Sequence, residues 1–346
     1  MIIRVLLLLL VSFHPFINET QGFASSAEEQ IVRRAAFDFG SGSVKLQVAE
    51  VDLLNNRLVR TLYAEKIPVD LSQDLSQSSD AKFSAEIQAE AIRVIALLKK
   101  RAEVYQPAAY SGVATEAFRI AKNGQELVDA IREKVGVSLQ IISQEDEALV
   151  GFSAAVSTKG ISAQNALVWD IGGGSLQIVT QVGESYEIYK ANLGKVPMKN
   201  FIISELQRKD IEQTYSPNPI NAEHSLQAIQ FVQEKTGQIP AEILAKLADP
   251  NVVVLGIGAQ PKSLRNLSRG YTSNDAFSQI QKGLNLPDQD ILKVFSEDTV
   301  PAYVLSDLIL VYGIMTAAGI ENVHFVETIS GNSTGVLITP SYWEGI

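Results

Sequence analysis

Two short stretches constrain this chain more than any other feature. Residues 166–180 read ALVWDIGGGSLQIVT: an apolar run ending in Asp170, three glycines, Ser175 and a second apolar run. Two strand-type runs joined by such a loop predict a β-hairpin whose tip is nearly bare backbone. Glycine lets the chain turn with positive φ and lets N–H groups approach a ligand closely. Successive N–H groups pointing into one concavity make an anion site, with phosphate the usual occupant. Taken singly, such a turn reads equally well as part of an ordinary sheet. Residues 35–48, AAFDFGSGSVKLQV, supply a second copy, in which Asp38, Gly40 and Ser43 match Asp170, Gly172 and Ser175 in spacing. The two aspartates stand 132 residues apart, the size of one domain. A repeat at that period predicts two similar domains, each presenting one hairpin to a shared cleft that holds a phosphate chain from both sides.

Composition agrees and narrows the chemistry. With 346 residues, 46% hydrophobic and 20% charged, the chain can fill two globular cores. A formal net charge of −10 argues against general nucleic-acid binding, so any polyanion must be met by a local site. The absence of cysteine removes disulfides, thiol catalysis and thiolate metal sites, and three histidines are too few to suggest a His-built zinc site. Carboxylates, hydroxyls, amides and basic side chains remain, most naturally with an oxygen-liking cation such as Mg²⁺. At the N-terminus, Met1–Arg4 precedes an apolar run at Val5–Phe13 and a polar stretch with small residues. This reads as a secretory signal over residues 1–27, too short in its apolar part to span a bilayer. It predicts a mature protein working in the periplasm or otherwise outside the cytoplasm.

The chain in order predicts mixed strands and helices in both halves, hence a two-domain α/β protein. Domain I is expected over residues 31–160 and domain II over 161–346, with the C-terminal tail packing back on domain I. A hairpin is expected around Asn55-Asn56, a polar loop over Ser72–Lys82, and a helix over Phe83–Tyr105. Asn123 with Glu126 suggests a helix N-cap, and Ser143 should cap a helix whose first turn holds Glu145, Asp146 and Glu147. Val252–Leu255 is a buried strand running into a glycine turn at Gly256–Gly258, and Pro301–Gly319 is a long core helix.

Several residues could carry chemistry. Arg119, in ATEAFR on a loop, offers a fork of donors suited to phosphate. Glu147, in SQEDEA, could orient and deprotonate water, although an acid there also simply complements the helix dipole. Asp38 and Asp170 each end a strand before a phosphate-type loop, a placement that suits a metal or an Asx turn.

The order DFGSGSVKL, ATEAFR, SQEDEA, WDIGGGSLQIV, LGKV, LGIGAQPKSL and a long apolar helix resembles the exopolyphosphatase/guanosine pentaphosphate phosphohydrolase (Ppx/GppA) family, of the actin-like ATPase superfamily. The resemblance covers about residues 33–337 and looks like the short form of the family, without its C-terminal helical domains. It implies two actin-like (ribonuclease H-like) α/β domains with a phosphate-binding cleft between them. It also implies release of terminal phosphate from polyphosphate or a guanosine penta- or tetraphosphate-like substrate by Glu-activated water with Mg²⁺. Gly40, Ser41 and Ser43 would form the first phosphate loop, and Gly172, Gly173, Gly174 and Ser175 the second. Arg119 would bind phosphate, Glu147 would be the catalytic base, and Asp38 and Asp170, with Gln177, would organise the metal. Polyphosphate or a phosphorylated guanosine nucleotide is the implied partner, with no nucleic acid, no stable membrane span, and a homodimer left open.

The chain departs from the family pattern in its second loop. GGGSLQ stands where GGGSTE is usual, so Leu176 replaces a hydroxyl and Gln177 a carboxylate. Gly42 stands in place of an asparagine, and Pro197 and Pro301 fall where arginines are frequent. An amide can orient water but cannot take its proton, and it binds a divalent cation more weakly. With Glu147, Asp38 and Asp170 all present, a phosphoanhydride hydrolase is the first reading. A phosphate-binding or sensing protein with weakened turnover on the same fold is the alternative.

Overall fold

The computed structural model describes residues 30–346 apart from Ala259, Asn266, Ser268, Glu297, Asp298 and residues 328–331. The signal segment expected over residues 1–27 lies outside the described residues. The first half runs β1 (Ile31–Phe39), β2 (Ser43–Asp52), β3 (Arg57–Pro68), α1 (Leu71–Ser76), α2 (Ala85–Ala102), β4 (Ala109–Ala114), α3 (Glu116–Ile120), α4 (Gly124–Val135), β5 (Ser138–Ile141) and α5 (Gln144–Lys159). The second runs β6 (Ala166–Ile171), β7 (Leu176–Val182), β8 (Ser185–Ala191), α6 (Lys195–Phe201), α7 (Ala222–Thr236), α8 (Ala241–Leu247), β9 (Val253–Gly258), α9 (Lys262–Arg265), β10 (Tyr271–Thr272), α10 (Ser273–Gly283), α11 (Asp288–Phe295), α12 (Pro301–Ala318), β11 (Asn322–Phe325) and α13 (Ser333–Ile338).

The duplication read from the hairpins extends to whole sheets. The first sheet has the order β3-β2-β1-β4-β5, and the second, read from the other edge, β8-β7-β6-β9-β11-β10. In both, the hairpin strands pair antiparallel while the central strand pairs parallel with the strand after the crossover. The central strands are the most buried because helices cover both their faces. Residues 35–39 of β1 are fully buried, and Trp169 of β6 is too.

Local chemistry explains the helices that frame the site. Ser84 caps α2 by accepting from Ile87 N at 3.2 Å, and Ala91, Val94, Ile95 and Leu98 form its buried stripe. Ser143 caps α5 by accepting from Asp146 N at 3.0 Å, as expected. Among the described residues α12 is the one helix long and apolar enough to cross a membrane, and 67% of it is buried inside the protein. It is the core helix of the second half, packed against α7, α10 and α6.

Four local expectations differ from the structure. The polar stretch after Leu71 forms α1, pinned because buried Leu71 anchors it and Asp74 accepts from Ser84 N and Oγ. Arg119 sits on α3 rather than on a loop. Asn123 does not cap α4; its side chain instead brackets Phe83, accepting from its N–H at 2.9 Å and donating to its carbonyl at 3.0 Å. A buried two-point bridge outcompetes a solvent-exposed cap. The C-terminal tail, for which the sequence signals no helix, contains the buried helix α13 over Ser333–Ile338.

That last helix joins the two halves. Val336, Leu337 and Ile338 bury against Ala36, Ala49 and Val113 of the first sheet and Val150 of α5. Each such side chain contributes about 1.5–3 kcal/mol of burial before its ordering cost. Thr334 Oγ1 donates to Gln47 Oε1 at 2.6 Å, Trp343 Nε1 donates to Val336 O at 2.7 Å, and the Arg34 guanidinium stacks 4.4 Å over the Trp343 ring. The chain thus leaves the second sheet at β11 and ends on the first, passing the cleft between them.

Candidate active site

The cleft has two connected lobes of about 650 and 560 Å³. Asp38, Gly40, Ser41, Lys45, Glu147, Asp170, Gly172, Gly173 and Asn332 line both. The two hairpins are built alike. Gly40 N donates to Ser43 O at 3.0 Å, and Gly172 N donates to Ser175 O at 2.8 Å. Neither loop uses the positive φ that glycine permits, since none of Gly40, Gly42 or Gly172–Gly174 lies in that region. Close approach is what the glycines supply: a Cβ built on Gly42, Gly173 or Gly174 meets nothing within 4 Å. The second loop is buttressed from below by α6. Lys195 N and Val196 N donate to Gly172 O and Gly173 O at 3.3 and 2.8 Å. A Cβ at Gly194 would lie 2.5 Å from Gly174 C, so only glycine lets the helix come this close.

Three carboxylates line both lobes, in different states. Glu147 lies in the first turn of α5, with its side chain 26% exposed. Arg119 Nη1 donates to Glu147 Oε2 at 3.0 Å and to Ile142 O at 2.8 Å. Burial pushes Glu147 up to about 7, against the pull of Arg119 and with the push of Asp38 and Asp170. This is where a general base serves best near neutrality. The structure places Arg119 behind Glu147 as its partner, outside the lining of both lobes. Asp38 is buried and engaged: Lys45 Nζ donates to its Oδ2 at 2.8 Å, and Asn332 N donates to the same oxygen at 3.1 Å. Asp170 differs. Among the described residues no protein donor reaches its carboxylate, which is held beside Gly151 and Gly258. Burial pushes it up to about 6, with Lys45 pulling down and Asp38 pushing up.

Gly258 has φ +73°, and a Cβ there would lie 2.1 Å from Asp170 Oδ1. The glycine turn expected at residues 256–258 is the end of β9, and it makes room for this carboxylate. Gln177 stands directly across the ladder from Asp170, and its amide donates to Ser175 Oγ at 2.9 Å. Beyond Arg265 a further cavity of about 340 Å³ holds Asp307, which burial pushes up to about 7 despite its 2.9 Å pair with Lys195.

A divalent cation fits this donor set in a limited way. Among the described residues no three His, Cys, Asp or Glu side chains form a ligand cluster. Asp170, half-buried at the cleft with no protein donor on it among the described residues, is suited to hold Mg²⁺, a cation that typically keeps water and takes one or two carboxylates plus substrate phosphate oxygens. Asp38 is already committed to Lys45 and Asn332, and Gln177 is turned to Ser175. Sequence reasoning did not single out Lys45, Lys66, Asn332 or Arg265, all of which line the cleft. Lys45 alternates with apolar neighbours in GSVKLQV, a pattern that marks a strand and not a site.

Fold and cleft together define a two-domain actin-like α/β protein with paired glycine hairpins facing each other. The model of the Ppx/GppA phosphatase family matches residues 48–207. That span includes ATEAFR, SQEDEA, the second glycine loop and LGKV, so the resemblance carried by these motifs is borne out. The solved Aquifex aeolicus member of the Ppx/GppA family is similar at 20% identity and a TM-score of 0.71, over 91% of this chain and 99% of that one. An exopolyphosphatase from Cytophaga hutchinsonii is similar at 15% identity and a TM-score of 0.63, over 88% of this chain and 96% of that one. These likenesses establish the fold.

Proposed function

We propose that this protein is a phosphoanhydride hydrolase that releases terminal phosphate from polyphosphate or a guanosine penta- or tetraphosphate-like substrate. The observation that carries the reading is Glu147: a carboxylate lining the cleft between two glycine hairpins, shifted to about 7 and held in place by Arg119. Backbone N–H groups of the two loops bind the terminal phosphate. Glu147 accepts a proton from water as the water oxygen bonds to phosphorus and the bridging P–O bond breaks, the electron pair leaving with the shortened chain. Such chemistry needs positioned water and charge neutralisation more than covalent help. Mg²⁺ held by Asp170 would supply part of that neutralisation when bound. Lys45 brings a fixed positive charge, since the Asp38 carboxylate beside it raises its pKa and keeps it an ammonium. The N-terminal pattern of residues 1–27 supports export, so the substrate would be met outside the cytoplasm.

The test is release of phosphate by the purified mature protein with Mg²⁺, from polyphosphate and from guanosine pentaphosphate, beside Glu147→Gln. Activity that disappears with Glu147→Gln supports the enzyme. The hydrogen bond from Gln177 to Ser175 favours a second reading, a binding or sensing protein, because it puts an amide where a carboxylate could have assisted. Ligand-induced stabilisation without turnover would support that reading instead.

A further inference from the structure

Asp38, Lys45 and Lys66 form one row across three adjacent strands. Asp38 of β1 stands opposite Lys45 of β2, and Lys45 stands opposite Lys66 of β3. Residues directly opposite on antiparallel strands share a face of the sheet, and like charges so placed destabilise each other. Lys45 is compensated by Asp38 at 2.8 Å. Lys66 is exposed and has no ion-pair partner among the described residues. An edge strand often carries lysine to discourage aggregation. That role does not require the side chain to line the cleft, yet Lys66 lines the same lobe as Lys45 and the first loop. An ammonium has three donors, and Asp38 occupies one on Lys45.

We propose that Lys45 and Lys66 form a two-point rail for a phosphate chain. Lys45 takes the phosphate at the reacting centre and Lys66 the next one outward, so the site selects anions with linked phosphates over orthophosphate. The acidic protein thereby meets a polyanion through a local pair of cations. The proposal rests on the phosphoanhydride reading of the cleft and adds the residues that count phosphates.

The experiment is calorimetric binding of orthophosphate and of tripolyphosphate, with Mg²⁺, to the full mature chain carrying Glu147→Gln so that turnover does not consume the ligand. Lys66→Gln should weaken tripolyphosphate binding by about tenfold or more, the scale of one charge-assisted contact, and leave orthophosphate binding within about twofold. Lys45→Gln should weaken both, and Lys66→Arg should restore tripolyphosphate affinity. Lys66 is exposed, so its variants should fold as the parent does, which a thermal melt checks. Tripolyphosphate affinity unchanged by Lys66→Gln overturns the rail and leaves the phosphate cleft intact. Failure of the parent to bind either anion overturns the cleft reading and the rail together.

Discussion

Replacing Arg119 by glutamine should move the pH dependence of catalysis upward. Arg119 Nη1 lies 3.0 Å from Glu147 Oε2, with both side chains 26% exposed. For charges about 4 Å apart at an effective dielectric of about 20, Coulomb's law gives about 4 kcal/mol. Partial exposure admits water and salt, so roughly 1–2 kcal/mol remains, or about one pKa unit. Burial already holds Glu147 at about 7. Without the guanidinium it should rise to roughly 8, and the deprotonated fraction at pH 7 should fall from about one half to about one tenth. The sign follows from the role: only the carboxylate can accept a proton from water. Activity is therefore lost as pH falls through this pKa, and the variant loses it sooner. The assay is kcat/KM for phosphate release across the neutral range, comparing the two acid limbs. Their coincidence would refute the pairing of Arg119 with a catalytic Glu147. A loss equal at every pH would instead mean that Arg119 acts on the phosphate itself.

Three further outcomes follow from the same geometry. Glu147→Gln should lower kcat by about 10²–10⁴-fold while tripolyphosphate affinity by calorimetry is retained, because the loops and not the base hold the ligand. Gly258→Ala puts a methyl 2.1 Å from Asp170 Oδ1 at a φ of +73°, so thermal or denaturant unfolding should show a loss of about 1–3 kcal/mol. The same displacement of Asp170 should weaken Mg²⁺ binding. Gln177→Glu places a second carboxylate across the ladder from Asp170 and should tighten Mg²⁺ and raise turnover. An unchanged Mg²⁺ affinity would exclude that position from the cation site.

The fold was largely legible because its elements announce themselves locally. Glycine hairpins between apolar runs, a serine-capped α5 and an apolar α12 each carry a signal within a few residues. What the sequence could not show depends on contacts between distant segments. Helix α13 is only six residues, following a Gly/Asn/Ser stretch that reads as a turn. It is a helix because the first sheet and α5 bury it. Asn123 has the right neighbours for a cap, but Phe83, forty residues away, offers its N–H and carbonyl together. Lys66 has no local mark of function. Its place beside Lys45 is set by the register of the β2–β3 hairpin, and a slip of one residue would turn it to the other face. The candidate base was legible by motif, whereas its pairing with Arg119 required α3 to bring the guanidinium to the start of α5.

The two copies of the hairpin have diverged at one telling position. The row Asp38, Lys45, Lys66 in the first sheet has its counterpart in Asp170, Gln177, Lys190 in the second. The first row neutralises its aspartate with a lysine, so Asp38 becomes a structural anchor that also receives Asn332 from the crossing C-terminal segment. The second row puts a neutral amide there and ties it to Ser175, so among the described residues Asp170 has no direct ion-pair partner at the cleft and feels only the more distant pull of Lys45. Lys190 does not relieve it, because that lysine pairs with Glu145 of α5. One half of the duplicated fold thus supplies fixed positive charge, while the other supplies the carboxylate that a cation would satisfy. Gln177 reads, on this geometry, as part of that division. A carboxylate at 177 would add a cation ligand, but a lysine there, as in the first copy, would close off Asp170 altogether.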